Sequence, residues 1–245
     1  MSISHQKILV AYSALLLSAG IVSAGESRNT QSGFLDFNIY PYLSDVNNDS
    51  VLTLNIAANL ANRFSYFSLF NIGNQTADSE LSDTTSYYTE QNLRWQITDN
   101  SPFDLTVQYN MRSGDDNDRL RFGGRWRLND SPQLKSIFEQ IHLRYALNLH
   151  LVQIDDGDSH VWQMEHSFNL KFPYLSDRLY LGGFIDHTFN EYLPANIPAN
   201  PIVGEAQLGY RIVENLYAVA EYRINEYRRS DENNLALGVE YKMKW

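Results

Sequence analysis

Cysteine is absent from the 245 residues, which excludes a disulfide framework and thiol chemistry. Basic residues are few: 19 Lys and Arg stand against 29 Asp and Glu, a formal net charge of −10. That balance excludes a nucleic-acid partner, which needs a net basic surface. Beyond the first two dozen residues no run of 18 apolar residues occurs, so the chain encodes no transmembrane helix. What the sequence does have is aromatics, with 16 Tyr, 12 Phe and 4 Trp.

The chain opens "MSISHQKILVAYSALLLSAGIVSAGES". Lys7 precedes an apolar stretch from Ile8 to Leu17, and Val22-Ser23-Ala24 supplies small residues before Gly25. This pattern predicts a secretory signal peptide at 1–24, cut after Ala24. Its apolar core is shorter than the roughly 20 residues that span a bilayer. Residues 25–245 then form the exported domain, with a formal charge of about −11 once Lys7 is lost. An exported chain without a transmembrane helix is either soluble outside or spans as a closed β-barrel.

Periodicity separates these two. In "FDLTVQYNMR" Phe103, Leu105, Val107, Tyr109 and Met111 share one face, and Asp104, Thr106, Gln108, Asn110 and Arg112 share the other. "RLRFGGRWRL" and "IHLRYALNLHL" alternate in the same way. A period of two sustained over ten residues predicts strands. About twelve such segments occur, near 33–41, 51–60, 63–72, 87–98, 103–112, 119–128, 137–152, 160–172, 178–189, 203–212, 216–225 and 235–245. Strands of 9–16 residues exceed the soluble mode of about five or six and match the 9–11 that a tilted membrane strand needs. Connections such as "ANR", "TDNSP", "PYLSD" and "VEN" are short. They alternate with longer, acid-rich ones such as "SDVNND", "GNQTADSELSDTTS", "SGDDND", "IDDGDS", "NEYLPANIPANP" and "EYRRSDEN". Short turns at one rim and long loops at the other are the layout of a membrane barrel. The predicted fold is all-β, an antiparallel transmembrane β-barrel of about 12 strands, with "SPQLKSIFE" taken as a turn.

The chain ends "LGVEYKMKW", with Leu237, Val239, Tyr241, Met243 and Trp245 apolar and charged residues or glycine between them. This closing strand resembles those of bacterial outer-membrane β-barrel proteins. The resemblance implies that these five residues are read by the barrel assembly machinery. It also implies a Gram-negative outer membrane, with lipid and lipopolysaccharide around the wall and both chain ends at the periplasmic rim. The family most often ends in Phe, so Trp245 is a departure. Aromatic rings at this position sit at the membrane–water interface.

Parity along each strand turns Arg94, Arg112, Arg119, Arg121, Arg125, Arg127, Arg144, Lys171, Arg211, Arg223, Lys242 and Lys244 toward the lumen. The inward acids are Asp36, Glu90, Asp104, Glu165, Asp186, Glu205, Glu221 and Glu240. Nine of these, Arg94, Arg112, Arg119, Arg121, Arg125, Arg127, Arg144, Arg211 and Arg223, are the arginines expected to line a channel. Arg119, Arg121, Arg125 and Arg127 form a ladder with no acid on their own strand. Guanidinium groups stay charged and grip carboxylate or phosphate in pairs, so a ladder offers an anion a series of weak sites. The competing expectation is cross-strand pairing with Asp104 or Glu139 that stiffens the wall. Gly123 and Gly124 thin the wall or mark a kink.

Two narrower families are resembled as well, the Tsx-type nucleoside channels and the KdgM-type porins for acidic oligosaccharides. The final "NLYAVAEYRINEYRRSDENNLALGVEYKMKW" has the cadence of both, and no motif assigns one over the other. Tyr40, Tyr180 and Tyr217, if inward, suit stacking on a base or sugar. The expected function is passive diffusion of a small polar, anionic solute of the nucleoside or acidic-sugar class. The alternatives are a plugged structural or adhesive barrel and an outer-membrane lipid hydrolase. For the hydrolase, "EHSFN" offers His166 beside Ser167, but neighbours on a strand face opposite ways. His142 and His150 share an expected inward face yet stand too far apart to hold one metal. "DDNDR" and "DDGDS" lack EF-hand spacing and read as solvated loop tips. No cofactor, metal or catalytic residue is expected.

Overall fold

A computed structural model describes residues 32–39, 50–73, 86–113, 118–155, 160–227 and 232–245. The predicted signal peptide, Tyr40 and most of the acid-rich loops lie outside these residues. Twelve strands run in chain order: β1 Gly33–Ile39, β2 Ser50–Asn59, β3 Phe64–Gly73, β4 Ser86–Gln96, β5 Phe103–Arg112, β6 Arg119–Arg127, β7 Leu143–Ile154, β8 Trp162–Lys171, β9 Leu179–Phe189, β10 Ile202–Val213, β11 Leu216–Asn225 and β12 Asn233–Lys244. Each pairs antiparallel with its chain neighbours, and β1 pairs with β12, so the sheet closes into a barrel.

Closure makes sense of the strand pattern. With no free edge, all ladder bonds are satisfied inside the wall, and only the side chains meet the surroundings. The wall is apolar outside and polar inside: on β5, Leu105 is 53% exposed and its neighbour Asp104 is 2% exposed. Among the described residues the buried apolar side chains are few, Val161, Val219 and Pro201, whereas the buried polar set includes Asn38, Asn92, Gln108, Asn110, Arg121, Asn148, His150 and Glu240. A water-soluble sandwich has the opposite distribution, and an apolar belt this continuous needs lipid or detergent around it. Paired aromatics mark both rims. Phe103 stacks on Trp126 at the short-turn end, and Trp162 stacks on Phe189 near the other.

The closing strand carries Leu237, Val239, Tyr241 and Met243 outward and exposed, as alternation requires. Trp245 N–H donates to Gly33 O at 3.2 Å, and Gly33 N–H donates to Trp245 O at 3.0 Å. The last residue is thereby tied into the ladder beside the first strand.

Three expectations need correction. The stretch taken as a turn, 131–139, follows a 3₁₀ turn, Leu128–Asp130, and holds most of a short helix, α1, Lys135–Gln140. The apolar residues Ile137, Phe138 and Ile141, expected at the start of β7, lie in this connection, and β7 begins at Leu143. Asn129 holds this connection by imitating a strand. Its side-chain amide donates to Leu143 O at 2.5 Å, and its carbonyl oxygen accepts from Tyr145 N–H at 2.6 Å. His142, expected to face inward, has φ 55 in the turn before β7 and tilts its ring against Tyr174. In β7 itself, pairing jumps from Phe122↔Val152 to Gly123↔His150, so Leu151 is an extra residue. The bulge leaves Leu151 and Val152 both exposed and turns Gln153 inward, against the unbroken alternation expected there.

Candidate functional site: the barrel lumen

Cross-strand register places all twelve basic and all eight acidic residues named above on the inner face. The chain of partners runs Asn38↔Glu240, Asp36↔Lys242, Tyr88↔Arg112, Asp104↔Arg125, Gln108↔Arg121, Arg144↔Asn169, Glu165↔Asp186, Lys171↔Tyr180, Glu205↔Arg223 and Gln207↔Glu221. Their surroundings differ by level.

Along β6 the arginine ladder is split into separate roles. Arg125 Nε donates to Asp104 Oδ2 at 2.6 Å, and Arg127 Nη1 donates to Asp104 Oδ1 at 2.5 Å, so one buried carboxylate on β5 holds two guanidiniums. Arg127 also reaches Asp130 and Ser101 O. The expected partner Glu139 lies instead beside Lys135 at 3.8 Å. Arg121 is held without an acid: Nε donates to Gln153 Oε1 at 2.7 Å, and Nη1 donates to Gln108 Oε1 at 2.8 Å and Gln163 Oε1 at 2.5 Å. These amides come from β7, β5 and β8, and Gln153 reaches Arg121 only because the bulge turns it inward. Gly123 sits opposite that bulge, where a Cβ would lie 1.8 Å from Leu149 O. Only glycine admits so close a backbone. Gly124, on the outer face, has no such crowding.

The middle of the lumen is packed with polar side chains. Asn148 Nδ2 donates to Glu165 Oε1 at 2.5 Å, and His150 Nε2 lies 3.5 Å from Glu165 Oε2. Asn92 Nδ2 donates to Glu90 Oε1 at 2.7 Å, and Asn110 Nδ2 donates to the Tyr88 hydroxyl at 2.6 Å. Sequence parity identifies the charged members of this belt and, on β5, Gln108 and Asn110; Asn92, Gln153 and Gln163 carry no charge signal that would single them out.

Toward the short-turn rim the tyrosines Tyr180 and Tyr217 both face inward and meet edge to face at 5.7 Å. The Tyr180 hydroxyl donates to Glu240 Oε2 at 2.5 Å, spanning from β9 to β12. Gly209 makes room for this, because its Cβ would fall 2.1 Å from the Tyr180 ring. Lys242 Nζ lies 4.8 Å from the Tyr180 ring centroid, within cation–π range, and 3.0 Å from Glu240. A cavity of about 370 Å³ opens here, lined by Arg211, Glu214, Asn215, Tyr217, Lys242 and Lys244.

Charge is unevenly distributed along the axis. Arg94, Arg125, Arg127, Arg144, Lys171, Arg211, Lys242 and Lys244 each lie within two positions of the short-turn end of their strand, where the strand register sets two inward acids among them, Asp104 opposite Arg125 and Asp36 opposite Lys242. Glu90, Glu165, Asp186, Glu205, Glu221 and Glu240 all sit deeper. Arg94, Arg144, Lys171 and Lys244 have no ion pair among the described residues; Arg94 instead lies over the Phe67 ring at 5.6 Å.

At the opposite mouth the loop from Asn190 to Pro201 turns inward. Asn190 has φ 63, a left-handed conformation that short polar side chains tolerate. The next residue, Glu191, accepts from Arg119 Nη2 on β6 at 2.6 Å through Oε1, and from the Tyr227 hydroxyl beyond β11 through Oε2. Glu191 is nearly buried there. Burial and this hydrogen bond push the Tyr227 phenol up to about 12. No periodic pattern marks a loop residue, so neither Glu191 nor Tyr227 was identifiable by strand parity.

His166 and Ser167 point to opposite faces, His166 outward against the Tyr145 hydroxyl at 2.5 Å, so they form no nucleophile–base pair. Among the described residues no group of three His, Asp or Glu is placed to hold a metal ion.

No family model matches the chain, and no curated protein does. Among solved structures it is similar to a KdgM porin, at 16% identity over 86% of this chain and 98% of that chain, with a TM-score of 0.47. A KdgM porin in complex with disordered oligogalacturonate gives the same identity and coverage, with a TM-score of 0.46. An outer membrane channel from Pseudomonas putida F1 is similar at 9% identity over 92% of this chain and all of that one, with a TM-score of 0.42.

Proposed function

We propose that this protein is an outer-membrane channel for passive diffusion of a small, polar, anionic solute. The observation that carries this reading is the cationic collar at the short-turn end of a largely polar inner wall. Anions concentrate where like cations line a low-dielectric cleft, and Arg94, Arg144, Lys171 and Lys244, which make no ion pair among the described residues, contribute to that charge. Beside them, Tyr180 and Tyr217 with Lys242 offer a ring face next to a cation, which suits an acidic sugar better than a neutral nucleoside. In this reading the barrel stands in the outer membrane among lipid and lipopolysaccharide. The outward face of β12, ending in Trp245, is what the assembly machinery reads.

A second reading is a plugged, structural barrel, and one observation favours it. Asn92, Gln108, Asn110, Asn148 and His150 in the central belt are 1–2% exposed, so solute passage requires these side chains to move.

Planar-bilayer recording under a salt gradient decides between them. The channel reading expects conductance with anion preference, reduced several-fold in selectivity by R94S/R144S/K244S and by a smaller factor in R125S, whose charge Asp104 already offsets. Conductance without anion preference would overturn the anionic-solute assignment. A folded barrel with no conductance would leave the plugged reading.

A further inference from the structure

The contact at the long-loop mouth has the form of an occupied binding site. Strands β6 and β11 stand nearly opposite each other in the twelve-strand ring. Glu191 from the β9–β10 loop joins them, with Arg119 on one side and Tyr227 on the other. Two features separate this arrangement from an ordinary wall salt bridge. First, the carboxylate belongs to a loop, so releasing it breaks no strand pairing. Second, the fit is incomplete: Arg119 Nε is buried and has no hydrogen-bond partner. Glu191 uses one edge nitrogen of the guanidinium and spends its other oxygen on Tyr227. A carboxylate that approaches the fork side-on takes Nε and Nη2 together, the stronger bidentate arrangement.

We propose that Arg119 and Tyr227 form a carboxylate-binding site at the long-loop mouth, which Glu191 occupies as a tethered internal ligand, and that a solute carboxylate binds there by displacing it. This rests on the anionic-solute reading and deepens it. Displacement frees the Asn190–Pro201 loop from the β6 wall, so binding and opening of the mouth are one event. A tethered competitor acts at an effective concentration of order millimolar, so a solute succeeds only by making the Nε contact that Glu191 leaves unmade. The Tyr227 phenol stays protonated well beyond neutral pH and donates to either carboxylate.

Isothermal titration of the folded, detergent-solubilised protein with sodium gluconate tests this without any current measurement. Glu191→Gln, which removes the competing charge at constant size, is expected to bind gluconate at least tenfold more tightly than the unaltered protein. Adding Arg119→Lys, which keeps the charge but loses the fork, should cancel that gain, with heat-modifiable gel mobility confirming that both variants fold. Equal affinity of the unaltered protein and Glu191→Gln, or tight binding that survives Arg119→Lys, would overturn the site. Tight gluconate binding by a Glu191→Gln barrel that carries no current would instead sink the diffusion reading and keep the site.

Discussion

Gly33 and Trp245 close the barrel against each other: they exchange both backbone hydrogen bonds, and the indole fills the space a side chain at 33 would need. A Cβ there would lie 2.4 Å from the ring and 2.6 Å from Ala57 O. Gly33→Val is therefore expected to lower the folded fraction severalfold, read as loss of the heat-modifiable band on a gel. Gly33→Val with Trp245→Ala should recover part of it, since the ring obstruction goes and the Ala57 carbonyl stays. Full recovery would show that the indole alone sets the requirement.

Asp104 holds Arg125 and Arg127 with one buried carboxylate. Breaking such a pair leaves uncompensated charge, which costs about 3–5 kcal/mol in buried settings. Both arginines retain some exposure, so Asp104→Asn is expected to cost about 3 kcal/mol, measured by urea unfolding in lipid vesicles. A cost below about 1 kcal/mol, the range of surface pairs, would mean that water reaches this end of the lumen and screens the triad.

Gly123 and Gly124 are neighbours with opposite tolerances. Gly123→Ala drives a methyl into the Leu149 carbonyl and forces the bulge to move, with an expected loss of about 1–3 kcal/mol. It should also weaken the grip of Gln153 on Arg121. At Gly124 the nearest atom to a Cβ, Asp104 O, is 3.5 Å away, so Gly124→Ala should change stability by no more than about 0.5 kcal/mol. The same unfolding assay compares the two, and equal costs would refute the bulge argument.

Tyr227 supplies a pH signature. Burial, and then the bond to Glu191, raise its folded pKa to about 12 from an ordinary value of about 10. A raised pKa in the folded state means the stabilisation is full below about 10 and is lost as pH climbs toward 12. Ultraviolet difference titration of the folded protein should lose one late-ionising tyrosine when Tyr227→Phe is compared with the unaltered protein. That tyrosine should ionise earlier in Glu191→Gln. An unchanged profile in Tyr227→Phe would show that Tyr227 titrates with the ordinary tyrosines.

Much of this molecule is legible as alternation. The bounds of β5 and β11 follow from period two alone, because a wall one residue thick gives each side chain a single choice between lipid and lumen. The inward set of charges follows by the same rule. What parity does not reach are the places where the chain leaves it. Ile137 and Ile141 continue the apolar spacing of β7 but lie in the α1 connection, where Asn129 supplies the competing hydrogen bonds. Leu151 is an added residue whose only signal is Gly123 on the facing strand, and a lone glycine pair does not specify which partner bulges. Glu191 acts from a loop, and its target lies some seventy positions earlier, a pairing that only the closed ring brings about.

The interleaving of two faces has a consequence for how such a wall changes over time. Each strand carries two texts on alternate letters, one judged by the hydrocarbon outside and the other by whatever passes within. Revising the inner text leaves the outer one untouched, so solute preference can drift without risk to insertion. The exception is the bulge opposite Gly123, where a single added residue exchanges the readers of Val152 and Gln153. An insertion or deletion there rewrites both texts at once, and that short segment is where selectivity and stability are no longer free to change separately.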